Sequence, residues 1–276
     1  MTNNYILIAK YDIKESLRSK WFLLYLLIFA GLIGFFFATG VVDSRVAGFS
    51  GLSRLLLLFV QVCLIILPIF ILITTVRSIS KDRELGSLEY LLSFSLSLKE
   101  YYFGKVLGRA FIIIVPILAS LALALLLALF KGANAQLFVL LGVCLLLIAL
   151  AFVFLAFGFC ISALIKNSEF ALGFAFVLWI FLLGFLDLTL IGFLMKTSVS
   201  ESLIYGVALA NPLQVFRVAA FAIFDPNLSV IAPAAYFILE KFTPTALLIF
   251  ALIYPTLLAL ACLYLGYFSF ARKDLV

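Results

Sequence analysis

The sequence contains no histidine. That removes zinc-protease motifs, haem ligation through imidazole and nucleophiles activated by histidine. Sulfur is scarce as well. Cys63, Cys144, Cys160 and Cys262 all fall in apolar runs, and no Cys-x-x-Cys occurs. Neither a metal hook nor a disulfide framework is therefore indicated, and buried cysteine behaves as a small apolar residue. Met1 and Met195 are the only methionines, so a soft copper(I) site has few ligands to draw on. No Gly-x-x-x-x-Gly-Lys-Ser/Thr phosphate loop occurs. Gly104-Lys105 lacks the upstream glycine, and Val106 stands where the hydroxyl would be. No catalytic residue, metal site or cofactor is assigned to this chain.

Charge is the other shortage. Charged residues make up 12% and hydrophobic residues 67%, with a mean hydropathy of +1.32. A soluble domain has about 25% charged residues. The bilayer is the solvent this composition requires. Runs long enough to cross it lie near 21–42, 55–76, 106–130, 137–165, 170–194 and 246–270. The expected fold is an all-α integral membrane protein, a single transmembrane domain over 1–276 with six transmembrane helices. With the N-terminus inside, most of the nineteen Lys and Arg fall on the inner side, so both termini are expected in the cytoplasm. No basic stripe interleaved with aromatics lies outside the spans, which argues against a nucleic-acid partner. The first apolar run is too long for a signal-peptide core and reads as a span.

Residues 5–20 carry Ile6, Ala9, Ile13 and Leu17 at helical spacing, beside a stripe of Lys10, Lys14 and Arg18. This pattern predicts an interfacial amphipathic helix, apolar face down, with basic stems reaching the phosphates.

Between spans two and three, residues 77–109 are charged and helix-patterned. Leu85, Leu88 and Leu92 recur on one face, which predicts an amphipathic helix. Ser93-Phe-Ser-Leu-Ser97 interrupts it. Ser97-Leu-Lys-Glu100 then forms a capping box, which predicts a new helix from 98 into span three. A plain connection needs few residues, as Lys166-Asn-Ser-Glu169 shows later in the chain, so an ordered insert of this length suggests a docking surface.

Residues 202–224 are apolar, but Asn211-Pro212, Gln214 and Arg217 interrupt them. Asn211 as N-cap with Pro212 at the first helical position starts a fresh helix. Two half-helices of about ten residues cannot each cross about 30 Å at 1.5 Å per residue. A re-entrant hairpin on the outer side, within 197–245, is expected. Asp225-Pro226 closes it, and Thr243-Pro244 caps span six. Asp187 is the only acid inside a span, and an intramembrane charge usually faces a bundle interior or a water-filled path. Gln61, Asp187, Asn211, Pro212 and Arg217 are the candidate pathway or gate residues. Pro68 and Pro116 are expected to kink spans two and three.

The string Arg83-Glu84-x-Gly86-Ser87-Leu88-Glu89-x-Leu91-Leu92, followed by Gly104-Lys105, resembles the cytoplasmic loop of ABC-2-type transporter permeases. Two positions depart from the family pattern: Ser95 replaces its proline, and Leu98 followed by Lys99 replaces its arginine. The resemblance implies a type V exporter-like fold in the bacterial inner membrane. It also implies a homodimer served by two copies of an ABC ATPase subunit, which binds the ATP and Mg. A periplasmic accessory protein fits the same scheme. Region 77–105 would be the ATPase-coupling region, with Arg83, Glu84, Gly86, Leu88, Glu89, Lys99, Gly104 and Lys105 carrying the coupling. Two further strings, Trp179-Ile-Phe-Leu-Leu-Gly-Phe-Leu-Asp187-Leu and Leu209-Ala-Asn-Pro-Leu-Gln-Val-Phe-Arg217, are similar to permeases that serve nitrous oxide reductase maturation. That likeness implies export of a sulfur species for the reductase's copper centre. A secondary transporter or channel without an ATPase partner is the alternative. It would need no docking loop, and would normally place paired charges at the midplane.

Overall fold

The computed structural model describes residues 4–39, 52–93, 96–130, 137–186, 188, 189, 192, 201–224 and 243–273. Every regular element among them is helical. In chain order these are α1 (Asn4–Leu17), α2 (Lys20–Ala38), α3 (Leu52–Thr75), α4 (Ser80–Glu84), α5 (Ser87–Leu92), α6 (Leu98–Phe130), α7 (Leu137–Leu164), α8 (Ser168–Ile180), α9 (Glu201–Ala210), α10 (Pro212–Phe224) and α11 (Pro244–Lys273). A π-helical turn, Phe181–Phe185, continues α8.

Among the described residues, six helices are long and apolar enough to cross a membrane: α2, α3, α6, α7, α8 with its π turn, and α11. The chain is a multi-pass membrane protein. At 1.5 Å per residue the 33 residues of α6 reach about 50 Å, beyond the roughly 30 Å hydrocarbon core. The surplus belongs to its first turns, which join the insert at 77–109. That end of the bundle is the charged end.

Helix α7 is the centre of the bundle. It packs against α11, α3, α6 and α10, and its second half, from Ala149 to Ala163, is buried on nearly every face. Side chains such as Leu27, Phe138, Leu141 and Leu257 project from the outside of the bundle, as lipid-facing positions require. Helices meet closely where glycine removes the side chain. A Cβ on Gly158 of α7 would stand 2.9 Å from Thr75, and one on Gly142 would stand 2.9 Å from Ile223. Small residues at helix crossings are the usual solution in membranes, where lipid is as apolar as leucine. On α2, Tyr25 and Phe29 pack inward, Tyr25 stacking on Phe70 and Phe29 meeting Phe59 edge-on.

The expected start of span six is observed. Pro244 opens α11, and the Thr243 hydroxyl accepts the Ala246 N–H at 3.4 Å. Pro68, Pro116 and Pro255 lie within continuous helices. Of the outer region at 197–245, only 201–224 and 243–245 are described, so Asp225 and Pro226 fall outside the described residues.

Helix α1 turns a different face to the protein from the one periodicity alone suggests. Ile8, Asp12 and Ser16 are buried, whereas Ile6 and Leu17 remain exposed. The buried row is where α1 crosses α6.

Candidate functional site

The insert at the charged end is built in three pieces. Helix α4 ends at Glu84 with Leu85 as its C-cap, and Gly86 takes a left-handed conformation with φ of 68°. Non-glycine residues adopt that region at a cost, so glycine is the natural residue at this joint. The turn breaks what the Leu85/Leu88/Leu92 spacing presented as one amphipathic helix. Leu88 is 2% exposed, while Leu85 is 68% exposed and Tyr90 66%. The single-helix expectation is therefore corrected: Gly86 redirects the chain, and Leu85 leaves the buried face. The Leu92 side chain and Ser95 lie outside the described residues.

The capping box is present as read from sequence. The Ser97 N–H donates to Glu100 Oε2 at 2.8 Å, and the Glu100 N–H donates to Ser97 Oγ at 3.1 Å. The Ser97 N–H, and then the Ser97 hydroxyl, which donates to Oε2 at 3.0 Å, hold the Glu100 carboxyl below its ordinary value, with a smaller share from Asn4, whose Nδ2 donates at 3.0 Å.

Arg83 and Glu84 grip the junction of α7 and α8. Arg83 Nη1 donates to the Ala163 carbonyl at 3.0 Å and lies near that of Ser162, at 3.4 Å. Its guanidinium also sits over the Phe270 ring, 5.3 Å from the centroid. Glu84 accepts the Ser168 N–H at 2.8 Å and the Ser168 hydroxyl at 2.6 Å. A cation thus meets the C-terminal carbonyls of α7, and a carboxylate meets the free N–H groups of α8. Each sign matches the helix end it serves. The Ser168 hydroxyl and then its N–H hold the Glu84 carboxyl below its ordinary value. In return α7 caps α4, since Ser162 Oγ accepts the Ile79 and Ser80 N–H groups at 2.9 and 3.1 Å.

Gly104 and Lys105 are buried. A Cβ on Gly104 would stand 2.8 Å from the Ile8 side chain, and one on Gly108 would stand 2.8 Å from the Ala9 carbonyl. This Gly-x-x-x-Gly face lets α1 lie directly on α6. Lys105 is 3% exposed and pairs with Asp82, which also accepts the Tyr101 hydroxyl. Its ammonium donates to the Ser78 carbonyl as well, at 2.8 Å. One turn on, Arg109 reaches Asp12 at 3.0 Å and the Thr74 carbonyl at 3.1 Å, joining α1, α3 and α6. Among the coupling candidates, Glu84, Gly86, Glu89 and Lys99 are exposed, whereas Leu88, Gly104 and Lys105 face the bundle.

The pathway candidates are spread more widely. Asn211 is fully buried between α9 and α10. Its Oδ1 accepts the Leu213 N–H at 3.0 Å, and its Nδ2 donates to the Leu182 carbonyl at 2.8 Å. Leu182 lies in the π turn, where helical hydrogen bonding is displaced. Tyr254 of α11 donates to the Ala210 carbonyl at 2.6 Å, on the other side of the break. The N-cap at Asn211 and the helix start at Pro212 are thus observed. Arg217 is half-buried, with Nη1 3.4 Å from Gln214 Oε1. Gln61 is half-buried on α3, and Asp187 lies outside the described residues. Among the described residues, no group of three or more Cys, Asp or Glu side chains is placed to hold a metal.

Sequence reading missed Asp12, Ser162 and Ser168. For Asp12 a faint signal existed: an acid opposite the basic stripe of an amphipathic helix needs a partner. Ser162 and Ser168 act on residues about eighty positions away, which no local pattern reports.

The model of the ABC-2 family transporter proteins matches residues 6–275. A probable ABC transporter permease protein NosY from Stutzerimonas stutzeri is 26% identical over 227 residues, covering 79% of this chain and 81% of that protein. The protein of the same name from Pseudomonas aeruginosa is 28% identical over 228 residues, covering 79% and 82%. With six helices long and apolar enough to cross a membrane among its described residues, and a family match along nearly its whole length, the chain belongs to the ABC-2 family of transporter permeases and is similar to NosY.

Proposed function

We propose that this chain is the membrane-spanning subunit of an ATP-driven exporter, working as a homodimer in a bacterial inner membrane with both termini in the cytoplasm. Two copies of a separate ABC ATPase bind ATP and Mg and carry out the hydrolysis. The observation that carries the reading is the build of 77–105. Leu85, Glu89 and Tyr90 project from the charged end. Beneath them, Arg83, Glu84 and Lys105 bind the same segment to α6, α7, α8 and α11. A projecting apolar and acidic ridge on a cross-linked base suits a surface pushed by a partner, because displacement of the ridge moves the helices with it.

In this reading, exposed Leu85, Gly86, Glu89 and Lys99 meet the ATPase. Leu88, Gly104 and Lys105 hold the ridge to the bundle, and Arg83 and Glu84 pass its displacement to the α7–α8 junction. Helix α1 lies in the inner interface and follows α6 through Gly104 and Gly108. Asn211 and Pro212, with Gln61, Asp187 and Arg217, belong to the path or its outer gate. Similarity to NosY supports a sulfur species for nitrous oxide reductase maturation as cargo, with a periplasmic accessory protein receiving it.

Co-purification tests the partner. Glu89→Lys combined with Leu85→Asp should remove a bound ATPase while leaving the chain folded. Transport by this chain alone, driven by an ion gradient, would refute the reading. Absence of an adjacent ATPase gene and of a nitrous oxide reductase operon would remove the cargo assignment alone.

A further inference from the structure

Span five is fastened along one narrow stripe. In α8 and its π turn the buried residues are Ser168, Ala171, Ala175 and Leu182, which share a helical face. Polar bonds hold the same span to its neighbours. Glu84 binds Ser168 at the charged end. The Trp179 Nε1–H donates to the Ile65 carbonyl of α3 at 3.3 Å. Asn211 Nδ2 donates to the Leu182 carbonyl at 2.8 Å. From Ser168 to Leu182 is about 21 Å of helix at 1.5 Å per residue, so one rod joins the insert to the break between α9 and α10.

The bond from Asn211 falls on a carbonyl that the π turn has freed. In an α-helix the Leu186 N–H would donate to Leu182, four residues back. Here it donates to the Phe181 carbonyl, five residues back. Leu182 thereby loses its α-helical donor, and the buried amide of Asn211 takes that donor's place. A buried carbonyl left without a donor is costly, so the π turn and the Asn211 side chain support each other. From span six, the Tyr254 hydroxyl holds the adjoining Ala210 carbonyl at 2.6 Å.

The same atoms allow two registers. With Asn211 on the Leu182 carbonyl, the turn carries one residue more than an α turn. With the Leu186 N–H on that carbonyl, the turn is α-helical. Exchanging the donors rotates everything beyond the turn by one residue, roughly 100° at 3.6 residues per turn. Before the turn, Ser168 and Trp179 hold the span in place. Among the described residues beyond it, the Thr189 hydroxyl donates within its own helix, to the Phe185 carbonyl at 2.8 Å, and Leu188 is 69% exposed. Single π turns within α-helices are frequent at functional sites.

We infer that span five is a register switch. Asn211 holds the π register, and transfer of the Leu182 carbonyl to the Leu186 N–H rotates the outer end of the span. Glu84 grips the other end of the rod, so displacement of α4 moves Leu182 against Asn211. This drive rests on the exporter reading, whereas the switch stands without it.

Pulsed electron paramagnetic resonance on the chain in nanodiscs tests the switch. Genetically encoded nitroxide residues replace Leu188 and Phe138, both exposed, and excess unlabelled chain isolates each pair. A second pair, at Phe174 and Phe138, reports on the span before the turn. The wild type should give one 188–138 distance. Asn211→Ser keeps a hydroxyl for the α10 cap but falls short of Leu182, so the turn should alternate between registers. A second 188–138 distance should appear, with the 174–138 distance unchanged. Tyr254→Phe loosens the same break but keeps the Asn211 donor, and should give the wild-type distance alone.

Deleting Gly184 removes the surplus residue and leaves the outer end facing as in the wild type. On that background Asn211→Ser should add no second distance. It should also lower the melting temperature much less than in the wild type, a comparison that serves even where Asn211→Ser alone is too unstable to label. A single 188–138 distance in folded Asn211→Ser would overturn the switch. So would a second distance in Tyr254→Phe, or an undiminished loss of melting temperature in the deletion background. With a candidate ABC ATPase bound, ATP and vanadate should bring out the second distance in the wild type. Its absence from an assembled complex would overturn the drive through Glu84, whereas failure of any complex to assemble counts against the exporter reading.

Discussion

Glu84 accepts both the backbone N–H and the hydroxyl of Ser168, at 2.8 and 2.6 Å, across 84 positions of sequence. The carboxylate of the insert is thereby the N-terminal cap of a membrane helix. This gives the Arg83-Glu84 pair a structural duty that is separate from any partner surface.

Glu84→Gln should lower the melting temperature in detergent, and Glu84→Lys should lower it further by placing a cation at the positive end of α8. Glu89→Lys, on the exposed side of α5, should leave it nearly unchanged. The pH dependence follows from the lowered Glu84 value. Its contribution is fully present above the ordinary carboxylate value of about 4.5 and is lost as pH falls through the lower folded value. The wild type should therefore lose more stability below about pH 4.5 than Glu84→Gln, as read by melting curves across that range.

Gly104→Ala should overpack the α1–α6 crossing and cost about 1–3 kcal/mol. Ile8→Gly in the same chain should relieve the contacts with Ile8 Cβ and Cγ2, whereas Ile8→Ala keeps the Cβ at 2.8 Å and should recover less. Gly108→Ala meets the Ala9 carbonyl of the backbone, so no side-chain change should rescue it. Hydrogen exchange along α1 separates the two cases.

How far the sequence reaches follows from the range of each interaction. The Ser97–Glu100 box, the Asn211–Pro212 helix start and the Thr243–Pro244 cap were legible because donor and acceptor lie within three residues of each other. The break at Gly86 was obscured by leucine spacing, which continued across it. Its only local sign was the glycine itself. Ser162 and Ser168 look like ordinary small residues until α4 is folded against them. Asp12 shows its role only when Arg109 arrives from 97 positions away. Long-range polar pairing in a membrane bundle leaves little trace in periodicity, because the apolar background sets the pattern.

Lys105→Ala should strand Asp82 and cost about 3–5 kcal/mol, the usual result of removing one member of a buried pair. Lys105→Met with Asp82→Leu should cost less than Lys105→Ala alone. Chemical denaturation of the three variants decides it. Equal losses would mean that the pair is not the source of the effect.

Asn211→Ser keeps a cap for α10 but loses the donor to the Leu182 carbonyl. A buried carbonyl left unpaired costs about 1–3 kcal/mol. Hydrogen exchange should rise across 181–186 in this variant while protection of 213–215 persists. Rising exchange at both places would show that capping, rather than the link to the π turn, is the main role of Asn211.

The most direct test of the central claim is purification of the tagged chain together with a co-expressed candidate ABC ATPase, followed by ATP hydrolysis measured on the isolated complex. The account predicts a complex that hydrolyses ATP with the wild type, and none with Leu85→Asp/Glu89→Lys, whose melting temperature stays near that of the wild type. A complex of undiminished yield and activity from the Leu85→Asp/Glu89→Lys variant would contradict it.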